Sequence, residues 1–277
     1  FIDGFSSFSL AIARKTKDKY IDCLFLTINT KIGISACMGF GNITFENYFD
    51  IKKRLLNDTV PIEINPIALK GIIKYYQNKN SRTKTKLPYE FIVWKNLLND
   101  VADINYDISE FINSKLNITA LNNKNVLKFI NSKHITTWYY AYNQNENIDE
   151  IIDKIIDLHI IDLEEIDKIT EKYIEDYFIS NKEFLDELND KLLLQAYVLM
   201  LLKLKLSSAV SYSICFNEKY KKLLIASIID RSIYNYFYQK SNEENDDFTN
   251  IFKKEKKLSF SKDETELILS QLEEKWL

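Results

Sequence analysis

The sequence predicts a mainly α-helical protein with an N-terminal α+β portion: a small antiparallel β-meander plus helices, followed by an irregular all-helical bundle. Three observations carry that expectation. Four of the five glycines, Gly4, Gly33, Gly39 and Gly41, fall within the first 41 residues, and none follows Gly71. Glycine marks places where the backbone turns tightly, so hairpins are expected at the start of the chain only. Phe8, Leu10 and Ile12 alternate with Ser7, Ser9 and Ala11, the period of a half-buried strand. From Asn147 onward apolar residues recur at helical spacing, and the pairs Asp162/Glu165, Ser180/Glu183 and Ser261/Glu264 have the separation of capping boxes.

Taken in order, residues 6–14, 20–29 and 33–40 read as the three strands of the meander. Thr44 then caps a helix to about Asn57, and Val60 to Ile64 reads as a fourth strand that Pro61 confines to an edge or an end. Asn65-Pro66 starts a helix to about Asn78, because Asn accepts from free N–H groups and Pro fits the first turn. Pro88 opens another to Asn99, Asp107 with Glu110 a further one, and Val126 to Ser132 a short one. The alternation Thr136, Trp138, Tyr140, Tyr142 suggests a strand returning to the sheet.

In the second half, helices are expected from Ile148 to His159, from Asp162 to Ile179, from Ser180 to Lys205, over 207–216, from Asn217 to Tyr238 and from Ser261 to Trp276. The run 192–202 is apolar nearly all round and calls for enclosure. It is also too short for a bilayer, which takes about 20 residues. The chain thus divides into an α+β portion, 1–143, and an all-helical portion, 147–277, with a polar, aperiodic linker at 241–257. No helical repeat recurs at a fixed period.

Net charge is −3, which gives no global attraction to nucleic acid or an acidic membrane. Lysine far outnumbers arginine (Arg14, Arg54, Arg82, Arg231), and Ile, Asn, Phe and Tyr abound. That is the codon bias of an AT-rich genome, and it weakens the meaning of any Lys-rich or Asn-rich stretch. Cys23, Cys37 and Cys215 have no metal-type spacing and read as free thiols of a reducing, cytoplasmic compartment, although Cys23 and Cys37 would face each other if a hairpin paired them.

Two charged segments are candidate sites. Over 70–95, Lys70, Lys74, Lys79, Arg82, Lys84 and Lys86 interleave with Tyr75 and other aromatics. Cations for phosphates and rings for unpaired bases suit single-stranded nucleic acid. The plainer reading is a solvated lysine face over an apolar core face. Between Glu146 and Asp190 acids dominate, and Asp149, Asp153 and Asp157 stack at i+4 intervals. Such a column would hold a divalent cation for an enzyme, or dock against the basic segment within the chain or across a dimer, and its plainest reading is a solvated helical surface. Gly39-Phe40-Gly41 precedes a helix, but no third glycine and no GK[ST] follows, so the sequence calls for no cofactor. His134 and His159 belong to no nucleophile or metal constellation.

The expected function is therefore a non-catalytic interaction or scaffold protein that binds a protein partner through helical surfaces. Single-stranded nucleic acid and a second copy of the chain stand as the other partner classes, and no segment reads as a membrane span.

Overall fold

A computed structural model describes residues 7–16, 19–56, 61–102, 108–116, 122–243 and 260–276. The protein is mainly helical with an N-terminal three-stranded meander, as its sequence predicts. The chain forms two compact units, one of Phe1–Ala120 with Asn189–Ser213 and the other of Leu121–Leu188 with Ile214–Leu277.

In the first unit, β1 (Ser7–Lys15), β2 (Tyr20–Asn29) and β3 (Gly33–Thr44) pair antiparallel in sequence order. Bulges interrupt the β2–β3 ladder between Ile21 and Cys23 and between Thr27 and Ile28. At the first of them the Asp22 carboxylate accepts from the N–H of Asn42 at 2.7 Å, and β3 continues four residues past the predicted end at Phe40. Of the expected fourth strand, the described residues 61–64 form none. Pro61 and Pro66 flank that stretch and lack the N–H groups a ladder needs.

The period-two pattern of β2 sends Leu24, Leu26 and Ile28 to one side and Ile21, Cys23 and Phe25 to the other. The second side is covered by α1 (Phe45–Leu56), which Thr44 caps through its hydroxyl and which lays Tyr48 and Ile51 on Phe25 and Cys23. The first side holds the larger core. There α2 (Pro66–Arg82), capped by Asn65, buries Ile72, Ile73 and Tyr76. Beside it lie α3 (Tyr89–Trp94), prolonged by a 3-10 turn at Lys95–Leu98, and α4 (Ile108–Asn113). Asp107, the expected cap of α4, lies outside the described residues.

The division between units falls within α8 (Lys182–Leu201), whose residues from Asn189 onward join the first unit with α9 (Lys205–Ile214) up to Ser213. Two buried hydroxyls bind these helices: Ser208 donates to the Ala196 carbonyl at 2.7 Å and Ser211 to that of Leu192 at 2.8 Å. The apolar run is enclosed as expected, with Leu192, Leu194, Ala196, Tyr197 and Leu199 all buried.

One polar side chain joins α2 to the sheet. Asn80, 1% exposed, accepts from the Ile34 N–H at 2.7 Å and donates to the Ile34 carbonyl at 3.1 Å. Its amide thus acts as a one-residue strand beside β3. Gly33 makes room for it: a Cβ there would overlap the Asn80 side chain and lie 2.5 Å from the Tyr76 carbonyl oxygen, and its φ of +104° favours glycine independently. α2 therefore runs past the predicted end at Asn78 to Arg82.

The second unit contains α5 (Asn123–Ile130), α6 (Glu146–Asp157), α7 (Leu163–Tyr173) with a π-helical extension at Ile174–Ile179, the start of α8, α10 (Glu218–Glu243) and α11 (Lys262–Glu274). Asp162 caps α7, Asn217 caps α10, and Ser261 with Glu264 closes the predicted capping box of α11. At α8 the cap is Asn181, which accepts from the Phe184 N–H, whereas Ser180 donates back to the Asp176 carbonyl. Of the expected linker, 241–243 form the last turn of α10 and 244–257 lie outside the described residues.

The strand expected at 136–142 is instead irregular backbone between turns. Its backbone groups find α10 rather than a ladder. The Tyr140 N–H donates to Ser232 Oγ at 2.9 Å, and buried Arg231 donates to the carbonyls of Ile130 and Ile135 at 2.6 and 3.2 Å. Trp138 and Tyr140 are buried all the same, so the alternation reflects burial without a sheet. Next to Arg231, the Asp230 carboxyl is pushed up to about 6 by burial, an effect that Lys275 opposes from 3.2 Å. Lys275 also pairs with Asp167.

Two outcomes are expected. Asn80→Ala leaves both Ile34 backbone groups unpaired in the core and lowers stability by about 3 kcal/mol in urea unfolding. Asp230 binds its proton more tightly folded than unfolded, so the stability it confers below about pH 4 is lost as pH rises towards 6, by ~2–3 kcal/mol for a carboxyl buried this deeply. Asp230→Asn removes that slope from the pH dependence of the urea midpoint.

Candidate interaction surface

Most of the basic-aromatic segment lies on α2 and α3. Part of its apolar set faces the core, as in the plainer reading: Ile72, Ile73, Tyr76 and Phe91 are buried. The predicted cations separate into two sets. Lys70 donates to the Val101 carbonyl at 2.6 Å. Lys79 pairs with Asp190 of α8 at 2.5 Å, and the Tyr75 hydroxyl donates to the same carboxylate at 2.7 Å. Asp190 is the last residue of the acidic tract, so one acid of that tract docks on the basic segment within the chain, and the pair is largely withdrawn from water. Lys74, Arg82, Lys84 and Lys86 are exposed, and Lys84 holds a φ of +56° in the turn after α2.

The acidic column on α6 serves local structure at two of its three positions. Asp149 accepts from the Asn143 N–H at 3.0 Å, and Asp153 from the Tyr142 hydroxyl at 2.6 Å. Together they fix the turn that precedes α6. The hydrogen bond to Asp153 pushes the Tyr142 hydroxyl up to about 12, and burial pushes the Asp149 carboxyl upward. Asp157 is exposed at the end of the helix. Among the described residues no group of three His, Cys, Asp or Glu side chains is placed to hold a metal ion.

The cysteines are free. In the ladder Cys23 lies opposite Phe40 and Cys37 opposite Leu26, and the two thiols pack on opposite sides of the sheet, so the facing pair considered from the sequence does not form. Burial pushes both thiols up to about 11, which leaves them protonated at neutral pH and poor nucleophiles. His134 is buried and its pKa lowered by that burial. His159 stacks on Phe260 and meets Glu264 at 2.9 Å, at the start of α11.

Gly39-Phe40-Gly41 serves packing. A Cβ on Gly39 would collide with the Trp94 ring, and one on Gly41 would lie 2.9 Å from it. The two glycines form a flat seat on β3 for this indole, and with Phe91 it fixes the inner side of α3. The outer side is apolar as well. Tyr89, Ile92 and Val93, at i, i+3 and i+4, are 75%, 51% and 51% exposed, and exposed Lys86 and Lys95 flank them. Phe91, Trp94, Leu97 and Leu98 pack in the core as the sequence suggests, whereas the outer set Tyr89, Ile92 and Val93 is not singled out by the sequence reading. The signal was available: six residues carry five large apolar side chains, more than one side of a single helical turn or two can bury.

Gly39→Ala is expected to destabilise by ~1–3 kcal/mol, as overpacking does. In a Trp94→Ala background the same change costs close to nothing, so a double-mutant cycle in urea reads the coupling directly.

Among the described residues no helix is long and apolar enough to cross a membrane. No protein-family model, curated protein or solved structure matches the chain.

Proposed function

We propose that the protein is a non-catalytic interaction or scaffold protein that binds a protein partner through helical surfaces, with the outer side of α3 as a binding face. The observation behind this reading is the exposed set Tyr89, Ile92 and Val93 on a helix whose opposite side is pinned to the sheet by Trp94 and Phe91. Large apolar side chains on a rigid support, rimmed by cations, match the centre and edge of a protein interface. Lys86 and Lys95 favour a partner that surrounds its own apolar contacts with carboxylates. Three free thiols, two of them held protonated, suit a soluble protein of the reducing cytoplasm.

A second reading draws on the same neighbourhood. Arg82, Lys84 and Lys86 remain exposed beside Tyr89, the most exposed of the large apolar residues in this segment, and cations next to a free ring suit single-stranded nucleic acid. The first reading is preferred because Ile92 and Val93 have no role in stacking or phosphate contact, and because Lys70, Tyr75 and Lys79 are already engaged within the chain.

Ile92→Asp separates the two. Loss of a stoichiometric protein partner from the Ile92→Asp protein, with the thermal melt unchanged, is the expected result of affinity purification. Retention of only nucleic acid by the wild type, released by salt and by Lys84→Glu/Lys86→Glu, would overturn the proposal.

A further inference from the structure

A second surface, on the other side of the sheet from α3, carries its own argument. α1 packs on the sheet through Tyr48 and Ile51, and along one flank it exposes Phe45 and Phe49, at i and i+4, to 44% and 59%. The Phe49 ring lies 5.6 Å from that of Tyr48, which stacks on Phe25 at 6.3 Å, so the exposed ring is backed by a fixed aromatic row. Exposed Met38 on β3 adds to the apolar surface on this side of the sheet.

The charges of α1 are segregated along its length. Glu46 and Asp50 occupy the first part; Lys52, Lys53 and Arg54 follow. Glu46 and Asp50 stand at i and i+4, where like charges repel, and neither has a cation within 4 Å among the described ion pairs. Lys52 lies 5.9 Å from the Tyr48 ring, while Lys53 is exposed.

We propose that α1 is the contact of a symmetric homodimer, in which two copies of the helix cross antiparallel about Phe49. A two-fold axis at Phe49 sets that ring against its equivalent. The same register places Phe45 across from the partner subunit's Lys53, and Glu46 across from the partner subunit's Lys52, within reach of both cations. Glu46 of each copy then meets the basic half of the other, so its repulsion with Asp50 is offset at both ends of the crossing. Parallel crossing would set acid on acid, so the charge order selects the antiparallel pair. A twofold interface must be self-complementary in this way. The crossing of two 12-residue helices buries less than the roughly 1,200–2,000 Å² of a standard interface, so association in the micromolar range is expected.

This surface is independent of the face on α3, and the outcome of its test leaves that reading unchanged. Light scattering and sedimentation of the full chain over 1–200 μM are expected to show a monomer–dimer equilibrium that weakens with salt. Phe49→Asp abolishes the dimer without altering circular dichroism or the thermal melt. Glu46→Lys and Lys52→Glu each weaken it at least tenfold, and the double variant, which restores opposite charges across the axis, recovers most of that loss. A wild type monomeric throughout the range, a dimer indifferent to Phe49→Asp, or a charge swap that fails to recover association each overturns the proposal.

Discussion

The two-point bond between Asn80 and Ile34 is the constraint on which the first unit depends. A strand at the edge of a sheet presents backbone groups that must find partners if they are buried. Here helix α2 supplies them from a side chain, because the Asn amide has the donor and acceptor spacing of a peptide group. The bond sets both the height of α2 over the sheet and its rotation, and thereby which residues of α2 enter the core. Tyr76, one turn earlier, is buried by that rotation, and Thr83 donates to the Ile32 carbonyl at the hairpin. Gly33 belongs to the same device. Its missing side chain is the space in which the amide sits.

What was legible in the sequence was periodicity. The strand pattern of β1 to β3, the helical spacing of the second half, and the caps at Asn65, Asp162, Asn217 and Ser261 are all local signals, and each sits where the structure has it. Pairings between distant residues were not legible. Alternation at 136–142 looks the same whether a ladder or a helix takes up the backbone groups, and the choice of Ser232 and Arg231 lies some 90 to 100 residues away. Gly39 and Gly41 were visible as glycines, but their purpose is a tryptophan about 55 residues downstream.

Asparagine shows how composition misleads. Its abundance follows from codon bias, which argues against reading meaning into any one of them. Yet Asn122, Asn145 and Asn181 cap helices in addition to the two predicted, and Asn80 holds α2 to β3. A short side chain that accepts from a helix N-terminus is useful wherever it falls, so a biased pool still supplies functional positions. The same holds for the charged segments. Asp149 and Asp153 form a column by spacing, but a turn takes up their oxygens, while Asp190 at the far end of the acidic tract meets the basic segment.

Helices α1 and α3 each use one side to cover a three-stranded sheet, and folding accounts for that side alone. Tyr48 and Ile51 in one pack on the Phe25 side, and Phe91 and Trp94 in the other join the core on the Leu24 side. Phe45, Phe49, Ile92 and Val93 leave about half of their surface in water, and on a solvated helix such side chains promote association. Scattered singly, exposed apolar residues need no explanation. Here they recur at i+3 and i+4 on supports pinned to the sheet, with charges ordered beside them, and it is on that arrangement that both proposed contacts rest.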